Sequence, residues 1–412
     1  MALTGIITEF NPFHLGHVVP IAAARAAMDG AGAVVCIMSG NCVQRGDLAI
    51  FHKLARAEAA VRSGADLVVE LPASYVVSSA ERFAEGGVAL LAAMGQPDTR
   101  LAFGCETVDG DRLIAAARAL DSPAVQARIK AAMGQGLSYG AACQSALDCE
   151  GEVGAPLRTP NNLLGIEYLR AIHRLSADIR PLPVERQGAA HDSGAPAEGY
   201  ASATHLRSLI HPVGANCVRS LSEDPWVYMP TTAADIFQRE LAQGRGPAGL
   251  GRLEAVVLSL LRLRKPPEEG YLDDSEGLST RITGLAREVG SLLELLEQTK
   301  TKRYHLSRIR RLVLTMCLGL APGHRPKMPP YIRVLAANQR GQVLLRRMTK
   351  TARLPILSRP GEAKRLGFAA AQMMETEAAV TDLQALCFQG HDSRGGSEWR
   401  TVPRLIEGKS DF

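Results

Sequence analysis

The apolar positions of the first hundred residues fall in short continuous runs, separated by stretches in which they recur every three or four residues. Residues 3–8 read as a strand, 16–28 as a helix, 33–38 as a second strand and 51–62 as a helix stopped by Gly64. Residues 66–71 make a third strand, halted by Pro72. Ser78-Ser79-Ala80-Glu81 predicts a capping box opening a helix that runs to about residue 94, and 100–103 form a fourth strand. Segments rich in Ala and Leu continue as helix to about residue 174, and 179–185 is a fifth strand. This alternation predicts a doubly wound α/β fold, a parallel sheet covered by helices on both faces. The carboxyl ends of such strands share one rim, where ligands bind. The loops on that rim, 9–17, 39–45, 72–79, 104–106 and 186–191, carry the unusual residues.

Beyond residue 215 the strand signals fade. Helical periodicity marks 254–263, 278–296 and 306–318, and a Pro- and acid-rich stretch, 265–276, follows the first of them. At 412 residues the chain is long enough for two cores. The expected division is an α/β unit, 1–215, followed by a mainly helical unit, 216–412. The Gly-, Ala-, Ser- and Pro-bearing segment 188–201 reads either as a loop that closes over substrate or as a linker.

Composition is that of a water-soluble globular protein, with 46% apolar and 22% charged residues. No apolar run reaches the length of a membrane span, and the chain starts almost directly on a strand without a leader pattern, so no membrane partner and a cytoplasmic location are expected. Its eight cysteines are scattered without a Cys-x-x-Cys pair, which predicts free thiols and no protein-held metal. Cys42 and Cys105 lie inside motifs but have no neighbouring His base. Net charge is only +5, yet no Asp or Glu occurs between Gln298 and Gly361, which hold fifteen of the 47 basic residues. The rest of the chain sets 32 basic against 42 acidic residues. A stretch of single-sign charge predicts a polyanion partner, with Lys300, Lys302, Arg303, Arg308, Arg310, Arg311, Arg346 and Arg347 as candidate RNA contacts. Tyr304 and Tyr331 read as packing residues before stacking partners.

The first strand runs into Glu9-Phe10-Asn11-Pro12-Phe13-His14-Leu15-Gly16-His17 and an Ala-rich helix. A strand, a turn and a helix start make a nucleotide phosphate site, because the first helical turn offers N–H groups and a positive dipole end to an anion. His14 and His17 are placed on one helix face. From there both imidazoles can donate to a phosphorus centre as it gains charge. Farther on, Ser202-Ala203-Thr204-His205-Leu206-Arg207 sets two hydroxyls and an arginine at another helix start, suited to gripping departing pyrophosphate through Ser202, Thr204 and Arg207.

Together the two motifs resemble the nucleotidylyltransferase superfamily. The resemblance narrows with residues 8–17, 38–47, 64–72, Phe103-Gly104-Cys105-Glu106, Pro160-Asn161-Asn162-Leu163-Leu164-Gly165, Thr301-Lys302-Arg303-Tyr304 and Ser307-Arg308-Ile309-Arg310-Arg311. This ordered set is similar to the tRNA(Met) cytidine acetate ligase family, and it spans most of the chain. The family pattern has Asn where Leu15 stands, Tyr at Phe10 and an aromatic at Cys42. The resemblance implies that ATP, with Mg²⁺, activates acetate as acetyl-adenylate, whose acetyl passes to the exocyclic amine of the wobble cytidine of elongator tRNA(Met). It implies His14 and His17 as catalytic residues. ATP contacts carry over onto Ile7, Thr8, Glu9, Phe10, Asn11, Pro12, Phe13, His14, Leu15, Gly16, His17, Val18, Val19, Pro20, Gly104, Arg186 and the Asn161-Asn162 pair, whose two members it does not separate. On this reading 1–215 binds ATP and the basic 216–412 grips tRNA, with no obligate protein partner. Lys53 and Arg45 stand open between orienting acetate or an RNA phosphate and being exposed basic residues. Glu9 and Asn11 stand open between ligand contacts and turn-forming roles. The alternatives are an adenylyl- or cytidylyltransferase for a small acid or phosphate without RNA, a non-catalytic RNA-binding protein, and the same chemistry with a larger carboxylate.

Overall fold

All six residues of the first strand, β1 (Leu3–Thr8), are buried, as are all seven of β2 (Ala33–Ser39) and all five of β3 (Leu67–Leu71). Continuous burial means that helices cover both faces of the sheet they form. The computed structural model describes residues 1–186, 199–210, 223–301, 303–390, 393–395 and 397–407, and the side chains of 158, 160 and 161 are left aside. The sheet continues with β4 (Thr99–Cys105), β5 (Ile179–Glu185), β6 (Ile332–Ala337), β7 (Ile356–Leu357) and β8 (Arg404–Leu405). Its order is β8-β6-β3-β2-β1-β4-β5, with β7 beside β6. β1 pairs in parallel with β2 and β4, β2 with β3, and β4 with β5. The fold is therefore the expected doubly wound α/β sheet.

Along β2 the side chains alternate between two cores. Val35 and Ile37 join one apolar cluster, while Val34, Cys36 and Met38 join the other. Eight helices matter for the site: α1 (Leu15–Ala26), α2 (Lys53–Arg62), α3 (Ala80–Ala93), α4 (Pro160–Arg174), α5 (Ala203–Ile210), α6 (Leu306–Leu318), α7 (Gln339–Thr351) and α8 (Phe368–Ala385). α3 starts at Ser79, whose Oγ accepts from Arg82 N, rather than from the Ser78 to Glu81 box; Ser78 Oγ donates to Ser74 O at 2.8 Å instead. The helix expected over 278–296 is two, Leu278–Ala286 and Leu292–Thr299, because Gly290-Ser291 breaks the run and Ser291 caps the second.

The sheet crosses the expected division at residue 215. β6 lies antiparallel against β3, with Ala337 beside Leu67, so the chain beyond 216 is helical in most of its length but completes the N-terminal sheet. The larger apolar cluster also runs without interruption from Leu67 and Val69 into Leu258, Ile282, Leu295 and Leu312.

A buried ionic network locks the two parts together. Lys53 Nζ donates to Glu70 Oε1 at 2.5 Å and to Glu398 Oε1 at 2.9 Å, while Arg333 on β6 pairs with Glu70 at 2.8 Å and also with Glu398. All four residues are buried. Thr381 Oγ1 donates to Glu398 Oε2 at 2.5 Å and accepts from Asn41 Nδ2 at 2.9 Å. The adjacent Glu377 accepts from Ala73 N at 2.6 Å, but its other oxygen has no hydrogen-bond partner among the described residues. Burial pushes this carboxyl well above its usual range, and the Glu70 charge adds to the push. A protonated Glu377 leaves two cations against two carboxylates, a neutral cluster. In the unfolded chain the same group ionises near pH 4.3, so folding takes up a proton above that pH and stability falls as pH rises. Glu377→Gln is expected to abolish this component. Urea midpoints measured at pH 5 and pH 8 should lie closer together in the variant, and the variant should be at least as stable as the parent at pH 8.

Candidate active site

β1 ends at the rim, and the chain turns through Glu9 to Phe13 before α1. Phe10 takes a positive φ of 47°, and its ring and that of Phe13 are buried, 4.8 Å apart. Both side chains of this expected ATP-contacting pair therefore form the floor of the site. His17 rests on them, its ring 4.9 Å from Phe10 and 5.6 Å from Phe13. Ile7 and Thr8, at the end of β1, are buried, whereas Leu15, Gly16, Val18, Val19 and Pro20 on α1 are partly open.

The helix is capped by the two histidines themselves. His14 Nδ1 accepts from Gly16 N at 3.1 Å, and His17 Nδ1 accepts from His14 N at 3.2 Å. This is a reciprocal capping box built from imidazoles. It has a chemical consequence. A ring nitrogen that accepts a backbone N–H carries no proton, so in each neutral ring the proton sits on Nε2, the donor atom. The rings lie 3.9 Å apart, tilted by 38°, which puts two Nε2–H donors side by side. The Gly16 N–H, which a bare helix end would offer to a phosphate, is used inside the cap.

The second motif meets the first here. Arg207, on α5, donates from Nη1 to the carbonyl of Asn11, 196 residues away, at 2.7 Å, and from Nη2 to Thr204 Oγ1 at 3.0 Å. Ser202 Oγ caps α5 by accepting from His205 N at 3.1 Å, and the buried Leu206 anchors the helix in the core. Asn11 has a turn-forming role, since its Oδ1 accepts from Ile50 N at 2.8 Å. Glu9 Oε1 accepts from Gln44 N at 2.5 Å. Burial raises the Glu9 carboxyl above its ordinary value, against the opposing pull of the Gln44 N–H and of Arg207, Arg56 and Arg45.

On the other side of β1, Gly104 pairs with Val184 across β4 and β5, and Arg186 N bonds to Cys105 O at 3.2 Å. A Cβ at Gly104 would stand 3.3 Å from Arg186 Cγ, so the glycine lets the arginine lie across the strand end. Asn162 is buried at the start of α4. Its Oδ1 accepts from the backbone of Glu106 at 3.0 Å and Thr107 at 3.1 Å, and its Nδ2 donates to Thr107 Oγ1 at 2.9 Å. Its amide is spent on holding the turn after β4. The Asn161 side chain, Lys302 and the expected closing loop up to residue 198 lie outside the described residues.

Sequence reasoning missed Arg56. It is completely buried and donates to four backbone carbonyls, those of Phe51 at 3.0 Å, Glu9 at 2.5 Å, Ser39 at 3.2 Å and Gly40. Burial pushes its pKa down to about 10, against the pull of Glu9, Cys42 and Glu70. It clamps the loops after β1 and β2 from beneath. The signal available was its position three residues after Lys53, on the same face of α2. Lys53 itself is neither of the two things expected of it: buried and paired with Glu70 and Glu398, it touches no ligand space. Cys42 and Cys105 are buried, and burial pushes their thiols up, that of Cys105 to about 11, which removes both as thiolate nucleophiles. Tyr331 is buried as a packing residue. Among the described residues no three His, Cys, Asp or Glu side chains converge on a point that could hold a metal ion.

The basic segment is not acid-free once folded. The loop at 265–276 returns to it: Arg325 pairs with Asp273 at 2.6 Å, Arg303 pairs with Glu276, and Tyr304 Oη donates to Glu276 Oε2 at 2.9 Å. Arg308 donates to Ser275 Oγ at 2.6 Å and lies 5.0 Å over the Tyr304 ring. Arg311 turns inward, its Nη1 3.4 Å from Gln44 O, and burial lowers its pKa to about 10. The reason is a close approach of backbones. Gly46, at φ 77°, touches α6 so tightly that a Cβ would stand 2.2 Å from Arg311 N. Lys300 is exposed and Arg310 partly so, with the Arg310 backbone packed against Gly46 in the loop after β2. Arg346 and Arg347 are exposed on α7, elsewhere on the surface.

The family model for HIGH Nucleotidyl Transferase matches residues 1–398. The chain is 34% identical over 396 residues to the tRNA(Met) cytidine acetate ligase of Caldanaerobacter subterraneus subsp. tengcongensis, covering 94% of this chain and 96% of that protein. It is 35% identical over 426 residues to the ligase of the same name from Syntrophomonas wolfei subsp. wolfei, covering 98% and 99%. The apo crystal structure of Thermotoga maritima TmcAL superposes with a TM-score of 0.90 at 29% identity, over 99% of this chain and 100% of that one. The form of that protein bound with alpha-thio ATP gives 0.87 at the same identity and coverage.

Proposed function

The chain belongs to the HIGH nucleotidyl transferases and, within them, to the tRNA(Met) cytidine acetate ligase family, and on that premise we propose that it acetylates the wobble cytidine of elongator tRNA(Met) at the expense of ATP. The observation that carries this reading is the bond from Arg207 to the Asn11 carbonyl, which joins the helix of the second motif to the turn that leads into the paired histidines.

In the first step an acetate oxygen attacks the α-phosphorus, the bond to the β-phosphate bridging oxygen breaks, and pyrophosphate leaves. Acetate and an α-phosphate charge repel by about 4 kcal/mol at 4 Å and an effective dielectric near 20. The Nε2–H donors of His14 and His17 offset that repulsion where charge accumulates, and Ser202, Thr204 and Arg207 hold the departing pyrophosphate. Mg²⁺ enters as part of the Mg-ATP substrate, carried on its phosphate oxygens. Ile7 to Pro20, Gly104, Asn161 and Arg186 line the nucleotide, with Asn162 acting as the support of the turn beside it. In the second step the cytosine N4 attacks the acetyl carbon, the carbon–oxygen bond to AMP breaks, and the amine loses a proton. The wobble base must leave its stack to reach the rim. Lys300, Arg303, Arg308 and Arg310 contact the RNA near that base. A cytoplasmic location follows from this substrate; no helix among the described residues is long and apolar enough to cross a membrane.

Purified protein with Mg-ATP, labelled acetate and tRNA(Met) transcript should place label on the anticodon cytidine, and omission of any component should abolish it. Exchange of pyrophosphate into ATP supported by another small acid, with no label from acetate, would keep the phosphate site and overturn the acyl donor. Label transfer without ATP would sink the adenylate route.

A further inference from the structure

α7 lies across the opposite end of the sheet from the histidines. Its start is fixed to the amino edges of β2 and β3: Asn338 N bonds to Asp66 O at 3.0 Å, and Arg340 Nη1 donates to Gly30 O at 2.8 Å. Its end is fixed beside β4, where Gln96 Nε2 donates to Thr351 Oγ1 at 2.6 Å. Gly341, Leu344 and Met348 face the core, which turns Val343, Arg346, Arg347 and Lys350 to solvent.

Many arginines elsewhere in this protein are paired: Arg25 with Asp66, Arg170 with Asp121 and Glu167, Arg245 with Glu240, Arg325 with Asp273. The exposed cations here stand close together along one helix and its end. Among the described residues, the side chains of Arg346, Arg347, Lys350 and the following Arg353 have no hydrogen-bond or ion-pair partner. α7 contains no acidic residue at all. Like charges three and four apart repel and weaken a helix, and the helix dipole accounts only for the cation in the last turn, Lys350. The ridge stands beside a depression of about 580 Å³ lined in part by Met1, Ala2, Ala31 and Val343. One exposed apolar side chain on the helix gives no face for membrane insertion.

We propose that this ridge is a second RNA-docking surface, which grips the phosphate backbone of the tRNA body while the anticodon lies at the carboxyl rim. The inference rests on the tRNA reading above. β1, six residues long, separates the two ends of the sheet by about 20 Å, and α7 lying across the far end adds about 10 Å, so the ridge lies beyond a stem-loop docked by its anticodon at the rim and within reach of a whole tRNA. The ridge therefore distinguishes a full-length tRNA from an isolated anticodon stem-loop.

The test is binding by fluorescence anisotropy of the tRNA(Met) transcript and of its anticodon stem-loop, to the parent and to the combined Arg346→Ala, Arg347→Ala, Lys350→Ala variant. The variant should lose at least about tenfold in affinity for the transcript, and its slope of log affinity against log salt should flatten by about two to three. Its affinity for the stem-loop should stay within about twofold, which also reports that it is folded. No loss on the transcript, or an equal loss on both RNAs, overturns the second surface. Failure of the parent to bind either RNA, with acetate-dependent ATP–pyrophosphate exchange intact, overturns the tRNA reading as well.

Discussion

His17→Ala is expected to lower acetate-dependent ATP–pyrophosphate exchange by about 10²–10³-fold, the cost of removing one preorganised donor from a site where charge develops. The size of the effect follows from how the ring is held. Its Nδ1 is occupied by the His14 N–H at 3.2 Å, and Phe10 and Phe13 support its face, so Nε2 is delivered to the site with little freedom left to lose. Alanine also deletes half of the cap on α1, a loss of about 1 kcal/mol in stability. His17→Gln separates the two contributions. Glutamine is the usual residue at the third position of a capping box and can accept the His14 N–H through its side-chain oxygen, but it does not present a rigid donor to the phosphate. The glutamine variant should therefore melt near the parent and remain catalytically impaired by at least about tenfold. Exchange within a few fold of the parent in the alanine variant would show that the histidine pair is structural and that charge on the α-phosphate is met elsewhere.

The parts of this site that were legible in the sequence are those in which local pattern and tertiary role coincide. β1 to β3 are uninterrupted apolar runs because both sheet faces are covered, and a run that long between turn residues has few other readings. His14 and His17 stand where their motif placed them, at a helix start on the rim, whereas Arg207 lies in the last turn of α5, past the helix start its motif predicted, and reaches the rim through the Asn11 carbonyl. The cap was hidden, because histidine is not a residue expected at an N-cap, and its Nδ1 takes that role here through ring geometry. Arg56 was hidden for a different reason: an arginine inside a helix reads as solvated, and only the fold shows four carbonyls converging on it. β6 escaped notice because Ile332–Ala337 is a short apolar run inside a basic stretch, and its pairing with β3 is a contact between residues more than 260 apart in the chain. The charge pattern misled in the same way. Acidic residues missing from 298–361 return from the loop at 265–276, so the linear segment overstates the free positive charge near that loop, while the cations of α7 keep no acidic residue on their own helix.

Lys53→Met should destabilise the protein by about 3–5 kcal/mol, the cost of leaving a buried carboxylate without its cation. Methionine matches the length of the lysine stem, so packing is largely kept and the effect isolates the charge. In the parent, Lys53 and Arg333 balance Glu70 and Glu398, with Glu377 neutral; without Lys53 the cluster carries one uncompensated negative charge in a dry interior. The balance is visible in Glu398. Burial pushes its carboxyl up, but Lys53 and Arg333 outweigh burial and hold its pKa at about 2. A carboxyl depressed in the folded state contributes stability above its unfolded pKa, near 4.3, and loses it as pH falls toward 2. Removing Lys53 weakens that depression. The variant should therefore be less stable than the parent at neutral pH, and the difference should narrow as the pH is lowered below about 4, where Glu398 takes up a proton more readily in the variant. The effect reaches the site through backbone. Lys53 N bonds to Asn41 Oδ1 at 2.7 Å, and Asn41 anchors the loop after β2 to Thr381 on α8, so loosening the network frees the loop whose Gln44 N bonds to Glu9. Paired Lys53→Met and Glu398→Gln substitutions restore neutrality and should recover part of the lost stability. Urea titrations of the single and double variants read this directly, and a double variant no more stable than Lys53→Met would show that geometry, rather than charge balance, holds the network together.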